Sequence, residues 1–243
     1  DYTGGKYTVL FVATDSTGPP AAGRGGQRWG YLMNTTGWRQ ETKLVHGGFG
    51  PDESTGAIAS PVVLSTAFAY RSAEDIEAVF AGRAPGFVYS RIANPTVGAF
   101  EARLTVLEDG LGAMAVSSGM AAISSLVLAL AGNGDEIVAG NSLFGGTYSL
   151  FRHTLSRYGI GVRFVDPTDP ETVRRAINAQ TRLVFVESIG NPKLDVPDIA
   201  AISAVTRERG VPLVVDSTVT TPLLVQPKRF GADLIVHSAS KFI

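Results

Sequence analysis

The sequence predicts an α/β fold: a mostly parallel β-sheet with helices on both faces. Three observations carry that expectation. Short runs that are almost wholly apolar recur at 113–116, 136–139, 162–165, 183–186, 213–215 and 234–236. Strands of this kind, lacking polar alternation, are buried on both faces. Helix-length segments near 119–131, 145–158, 170–178 and 197–209 separate them, which is the crossover spacing that parallel strands need. At 243 residues, 44% hydrophobic and 18% charged, the chain can also bury a substantial core.

The elements follow in chain order. Residues 1–33 hold one short apolar run, 9–13, and no helix or strand periodicity, so they are unassigned or a non-native extension. Either Met33 is the native start or residues 1–32 are a genuine disordered extension. Residues 34–70 are expected as an N-terminal arm. Ser72 caps a helix with Glu74 and Asp75 in its first turn, running to about Phe80 before Gly82. Asn94 caps a second helix with Pro95 at its first position, and Val97, Phe100, Leu104 and Leu107 give it one apolar stripe. The strand–helix alternation begins after that.

Composition excludes several classes. Twenty-one basic and 22 acidic residues leave a net charge of −1, which gives no field for nucleic acid or an anionic membrane. The absence of cysteine excludes a disulfide framework, a thiolate nucleophile and cysteine-ligated zinc, and only three histidines exist. No apolar run approaches the ~18 residues of a membrane span. Glycine, at 28 residues, is enriched and predicts many tight turns.

In a parallel sheet of this kind, ligands sit at the carboxyl ends of the strands. Ser117-Ser118-Gly119-Met120 opens a helix after the first run, presenting backbone N–H groups and a positive dipole end suited to phosphate. Read alone, that turn is better explained as plain N-capping. Gly132-Asn133-Gly134 lacks the third glycine of a dinucleotide turn, so a dinucleotide-binding domain is not indicated. Glu187-Ser188-Ile189-Gly190-Asn191-Pro192, Asp216-Ser217-Thr218 and His237-Ser238-Ala239-Ser240-Lys241 follow later strands. Five of the 21 basic residues are lysine, and Lys241 is the one at such an end. A phosphate-shaped turn, an acid, paired hydroxyls and a lysine on one sheet edge suit pyridoxal 5′-phosphate. That cofactor takes an amine for covalent attachment, an acid for its pyridinium nitrogen and donors for its phosphate.

The ordered blocks Tyr89-Ser90-Arg91…Asn94-Pro95-Thr96, Ser118-Gly119-Met120, Leu143-Phe144-Gly145-Gly146-Thr147-Tyr148, Glu187–Pro192, Val215-Asp216-Ser217-Thr218 and His237–Lys241 resemble the Cys/Met-metabolism (transsulfuration) family of fold-type I pyridoxal-phosphate enzymes, from about Glu41 to Ile243. Within it the wording is most similar to the O-acetylhomoserine sulfhydrylases. The resemblance implies the large domain of an aspartate aminotransferase-like fold over 71–243, incomplete because the family continues through a further strand and a C-terminal domain. That strand would lie beside the run at 113–116, so β-edges are expected to stand unpaired there.

The resemblance also implies roles. Lys241 would hold the cofactor and move the substrate α-proton, and Asp216 would face the pyridine nitrogen. Ser118, Gly119 and Met120 with Ser238 and Ser240 would hold the phosphate, and Thr218 would complete the cofactor site. Asn191 would lie near the cofactor's phenolic oxygen. Phe144 stands where the family carries a tyrosine, keeping the stacking face without the hydroxyl. Tyr89 and Arg91 would reach the phosphate of a neighbouring subunit, so the active site belongs to a homo-oligomer. The implied activity is γ-replacement on O-acetylhomoserine by sulfide or a thiol in a cytoplasmic enzyme. Cystathionine γ-synthase or methionine γ-lyase activity, or a non-catalytic remnant, are the alternatives.

Overall fold

The computed structural model describes residues 8–13, 35–52 and 54–243. They fall into two compact units, one within 35–107 and a larger one that combines 8–13 with 108–243.

Within the smaller unit, α1 (Gln40–His46), α2 (Ala73–Phe80) and α3 (Pro95–Leu107) form. The Ser72 hydroxyl accepts the Asp75 amide at 3.1 Å, the predicted cap of α2. The Asn94 side chain accepts the Thr96 amide at 2.8 Å and donates to the Val63 carbonyl at 3.1 Å, which ties the start of α3 to the arm before it. The sequence reading did not anticipate α1, which the Gln40 amide anchors by donating to the Leu107 carbonyl at 2.9 Å. That partner lies 67 residues away, and local periodicity carries no trace of it.

The larger unit is built on a seven-stranded sheet in the order β2-β1-β7-β6-β5-β3-β4. Its strands are β1 (Thr8–Ala13), β2 (Ala113–Val116), β3 (Glu136–Gly140), β4 (Gly161–Val165), β5 (Thr181–Glu187), β6 (Leu213–Asp216) and β7 (Leu234–Val236). The pairs β3–β4, β3–β5, β5–β6 and β6–β7 are parallel, as the apolar runs predict. Between them lie α4 (Gly119–Leu130), α5 (Gly145–Ser149), α6 (Pro170–Ala176), α7 (Ile199–Glu208) and the short α8 (Thr221–Leu224).

The strands alternate between two cores. Ile137, Ala139, Leu183, Phe185, Val214 and Val236 pack on the α4 side with Ile123, Leu126, Val127, Phe151 and Leu155. Val138, Val184, Val186, Leu213, Val215 and Ile235 pack on the other face with Val173, Ile199, Ile202 and Val205 of α6 and α7. At ~1.5–3 kcal/mol for each fully buried aliphatic side chain, these two layers dominate the stability of the unit.

Two expectations are corrected. The segment 145–158 is one helix by pattern, but after α5 it passes into a π-turn (Leu150–Thr154) and a 3₁₀ turn (Leu155–Tyr158) ending at left-handed Gly159. The second correction is larger. The apolar run at 9–13 belongs to β1, which pairs antiparallel with both β2 and β7 and so occupies the edges expected to stand open. Six residues with one register irregularity are too few to show a period, and the pairing partners lie about a hundred or more positions downstream.

Candidate active site

A cavity of about 430 Å³ opens at the carboxyl ends of the parallel strands. Ten residues singled out from the sequence line it: Ser118, Gly119, Met120, Phe144, Asn191, Asp216, Thr218, Ser238, Ser240 and Lys241. Each reaches it by the same local logic. A strand ends at the carboxyl edge of the sheet, and the residues at or just beyond its end line the cavity.

The floor of the cavity is tied together by Thr218. Its hydroxyl donates to the Asp216 carboxylate at 2.5 Å and accepts the Ser238 amide at 2.8 Å. The Thr218 amide adds a bond to the same carboxylate oxygen at 3.0 Å. The acid that ends β6 is therefore linked in two bonds to the hydroxyl segment after β7. Burial pushes the Asp216 carboxyl above the usual carboxylate range, while the Thr218 bonds and the nearby His237 oppose that rise. A cation facing Asp216 would recover the ionised form.

Opposite lies the turn that opens α4. The Ser118 hydroxyl is committed to the Ala121 amide at 3.0 Å as the helix cap. The first-turn amides of Gly119 and Met120 have no helical carbonyl available to them. Gly119 approaches so closely that an added Cβ would lie 2.9 Å from the Ser238 Cβ. Ser238 and Ser240 hydroxyls are 3.1 Å apart, and the Lys241 amide closes the turn onto the Ser238 carbonyl at 3.0 Å. Backbone donors, paired hydroxyls, an acid and an exposed amine share one cavity. The buried Thr147 hydroxyl on its wall has no hydrogen-bond partner. This donor set fits pyridoxal 5′-phosphate.

Glu187 is the titratable cavity residue to which sequence reasoning assigned no role. It follows the last apolar position of β5 and is the register partner of Asp216. Its carboxylate accepts the Phe144 amide at 2.6 Å. Burial lifts its pKa to about 8; the Phe144 amide pulls it down and the adjacent Asp216 charge adds to the rise. The neutral acid is thus the resting form at neutral pH. The signal was its place as the first acid after an apolar strand, the same signal that marked Asp216.

Behind the cavity, His237 Nε2 lies 2.5 Å from Glu108 Oε1, and both side chains are fully buried. Tyr89 and Arg91 belong to the other unit and are not among the cavity residues; the Arg91 guanidinium lies 5.3 Å from the Tyr89 ring centroid. Among the described residues no acid–histidine cluster could hold a metal ion, and no helix is long and apolar enough to cross a membrane.

A parallel sheet with a lysine, an acid and a phosphate-suited helix start at its carboxyl edge defines a pyridoxal-phosphate protein of the fold-type I class. The chain belongs to the Cys/Met metabolism PLP-dependent enzyme family, whose model matches residues 41–243. It is 43% identical over 206 residues to an O-acetyl-L-homoserine sulfhydrylase of Leptospira meyeri, covering 85% of this chain and 47% of that protein. It is 39% identical over 202 residues to an L-methionine gamma-lyase of Pseudomonas putida, covering 83% of this chain and 51% of that one. A crystal structure of an O-acetylhomoserine (thiol)-lyase from Campylobacter jejuni, with a pyridoxyl-lysine phosphate, superposes with a TM-score of 0.80 at 35% identity over 84% of this chain and 50% of its own. The chain thus spans about half the length of the relatives it matches.

Proposed function

We propose that Lys241 carries pyridoxal 5′-phosphate and that the protein acts in γ-replacement on O-acetylhomoserine by sulfide or a thiol. The observation that carries the cofactor site is the convergence of Lys241, Asp216 and the Gly119–Ser238 contact on one cavity. The preference for γ-replacement is supported by the sulfhydrylases among its relatives, two of them 43% and 45% identical.

When bound, pyridoxal phosphate supplies the electron sink for a carbanion at the substrate α-carbon. The chain's own residues do the rest. The Lys241 amine anchors the cofactor and then moves the proton at the α-carbon. The Asp216 carboxylate, held by Thr218, stays ionised against the ring nitrogen. The Gly119 and Met120 amides and the Ser238 and Ser240 hydroxyls hold the phosphate. Phe144, half exposed, offers a stacking face, and Asn191 lines the same cavity. Tyr89 and Arg91 reach the phosphate of a neighbouring subunit.

Borohydride reduction of the cofactor-loaded protein followed by peptide mapping tests the first step. The adduct is expected on Lys241; an adduct on Lys193 or Lys228 refutes the assignment. For the reaction, O-acetyl-L-homoserine with sulfide should yield homocysteine faster than L-methionine alone yields 2-oxobutyrate. The reverse ranking would favour γ-elimination, for which the methionine γ-lyase relative at 39% identity speaks. An adduct on Lys241 with neither product would favour a unit that binds cofactor without turnover.

A further inference from the structure

We propose that Glu187 is the positioning residue of the cavity's ring slot: its carboxyl ties the turn that presents Phe144 to the turn that presents Asn191, and so fixes the gap that a flat ring must enter. The inference rests on the cofactor reading for the identity of that ring.

The tie begins in β5. Leu183 and Phe185 pack on the α4 side of the sheet, and strand alternation puts Glu187, the last residue of β5, on that same side. Glu187 is 7% exposed and lines the cavity beside its register partner Asp216. One of its oxygens accepts the Phe144 amide at 2.6 Å, from 43 positions away. The Asn191 amide is a second donor to the same carboxyl. Phe144 stands at the cap position of α5 and has no side-chain acceptor of its own to offer there. Glu187 supplies from another strand the oxygen that this turn lacks.

The two turns also meet directly. A Cβ on Gly190 would overlap Ser142 Oγ and Asp195 Oδ1, so the turn after β5 and the turn after β3 approach as closely as glycine allows. The Gly190 amide donates to the Asp195 carbonyl and the Leu194 amide to the Gly190 carbonyl, each at 2.8 Å, which closes the turn after β5 on itself. An amide deprived of a buried acceptor must reach water, and water enters only if the turns part. Burial lifts the Glu187 pKa to about 8, so near neutral pH the group is a neutral acid. A carbonyl oxygen is then acceptor enough, and no second negative charge stands beside Asp216.

Glu187→Leu removes the acceptors, whereas Glu187→Gln keeps a carbonyl oxygen for the Phe144 amide. Pyridoxal 5′-phosphate affinity is read by absorbance titration and inorganic phosphate affinity by phosphorus NMR. Glu187→Leu should weaken pyridoxal phosphate by tenfold or more and inorganic phosphate by less than twofold, because phosphate alone rests on the turn at 117–120 and the Ser238 and Ser240 hydroxyls. Glu187→Gln should stay within about threefold of wild type for both ligands. A tenfold loss in Glu187→Gln overturns the proposal, as do equal losses of the two ligands, or no loss, in Glu187→Leu.

Phe144→Ala combined with Glu187→Leu should cost clearly less than the product of the two single losses, since one acts through the other; a full product overturns that route. Amide hydrogen exchange gives a reading that needs neither ligand nor the leucine variant. The Phe144 and Asn191 amides should be protected in the wild-type apo-protein and in Glu187→Gln, and exchange there at unfolded-chain rates overturns the tie. If those amides are protected but wild-type protein gives no Lys241 adduct, the cofactor reading fails and the tie stands.

Discussion

Glu187 and Asp216 are register partners at the ends of adjacent strands, so two carboxyl groups meet in one buried site. Glu187 has an ordinary value of 4.5 and is lifted to about 8 in the folded protein. Between those values the unfolded chain has lost this proton and the folded chain still holds it, so stability falls as pH rises through the window. Apo-protein melting temperature should decline from pH 4.5 towards 8, and Glu187→Gln should flatten that decline, with a few kcal/mol at stake at ~1.4 kcal/mol per pH unit. Parallel pH slopes for the two proteins would refute the neutral acid. A second prediction concerns Gly119. Gly119→Ala places a Cβ 2.9 Å from Ser238, an overpacking of ~1–3 kcal/mol, so pyridoxal phosphate affinity should drop about tenfold or more by fluorescence titration. Unchanged affinity would mean that the turn can retreat without loosening the cradle. At this scale much was legible. Lys241, Asp216, Gly119 and Ser238 stand out because a polar residue that ends an apolar strand has one place to point. The raised pKa of Glu187 was not legible, because it arises first from burial in the folded site and then from Asp216, a partner 29 positions later in sequence that only sheet register brings alongside.

Elements are held in register by contacts of long sequence separation, and the Glu108–His237 pair is the clearest. It joins the residue after α3 to the residue after β7 across 129 positions, with both side chains fully buried. Removing one partner leaves the other's polar atom buried without its hydrogen bond, a cost of about 1–3 kcal/mol. Glu108→Leu and His237→Leu should each lower stability by about that much in urea denaturation. The double variant should cost clearly less than the sum, by at least ~1 kcal/mol. Strict additivity would show that the two side chains act independently. The parallel strands and the helices α2, α3, α4, α6 and α7 were legible as elements, since apolar runs, Ser72, Asn94 and Pro95 are local signals. The π-turn inside 145–158 and the short α1 were not, because neither breaks nor makes a local period.

In the whole molecule, the open question is what Tyr89 and Arg91 serve, since they lie in a unit other than that of the cavity. If they complete a neighbour's site, Arg91→Ala should weaken cofactor retention by about tenfold, as charge-assisted bonds of ~1.5–3 kcal/mol imply. Mixed oligomers of Arg91→Ala and Lys241→Ala subunits should then recover tight binding at the hybrid site that has both residues. No recovery in verified hybrids would assign Arg91 to its own subunit. By itself the sequence determined the parallel α/β class, the family, and the residues at the strand ends, because burial and strand termination are written in neighbouring residues. Only the tertiary structure decided which strand lies beside which. The run at 9–13 carries no period of its own, and it is β1 because its backbone pairs with β2 and β7, about a hundred or more positions along the chain.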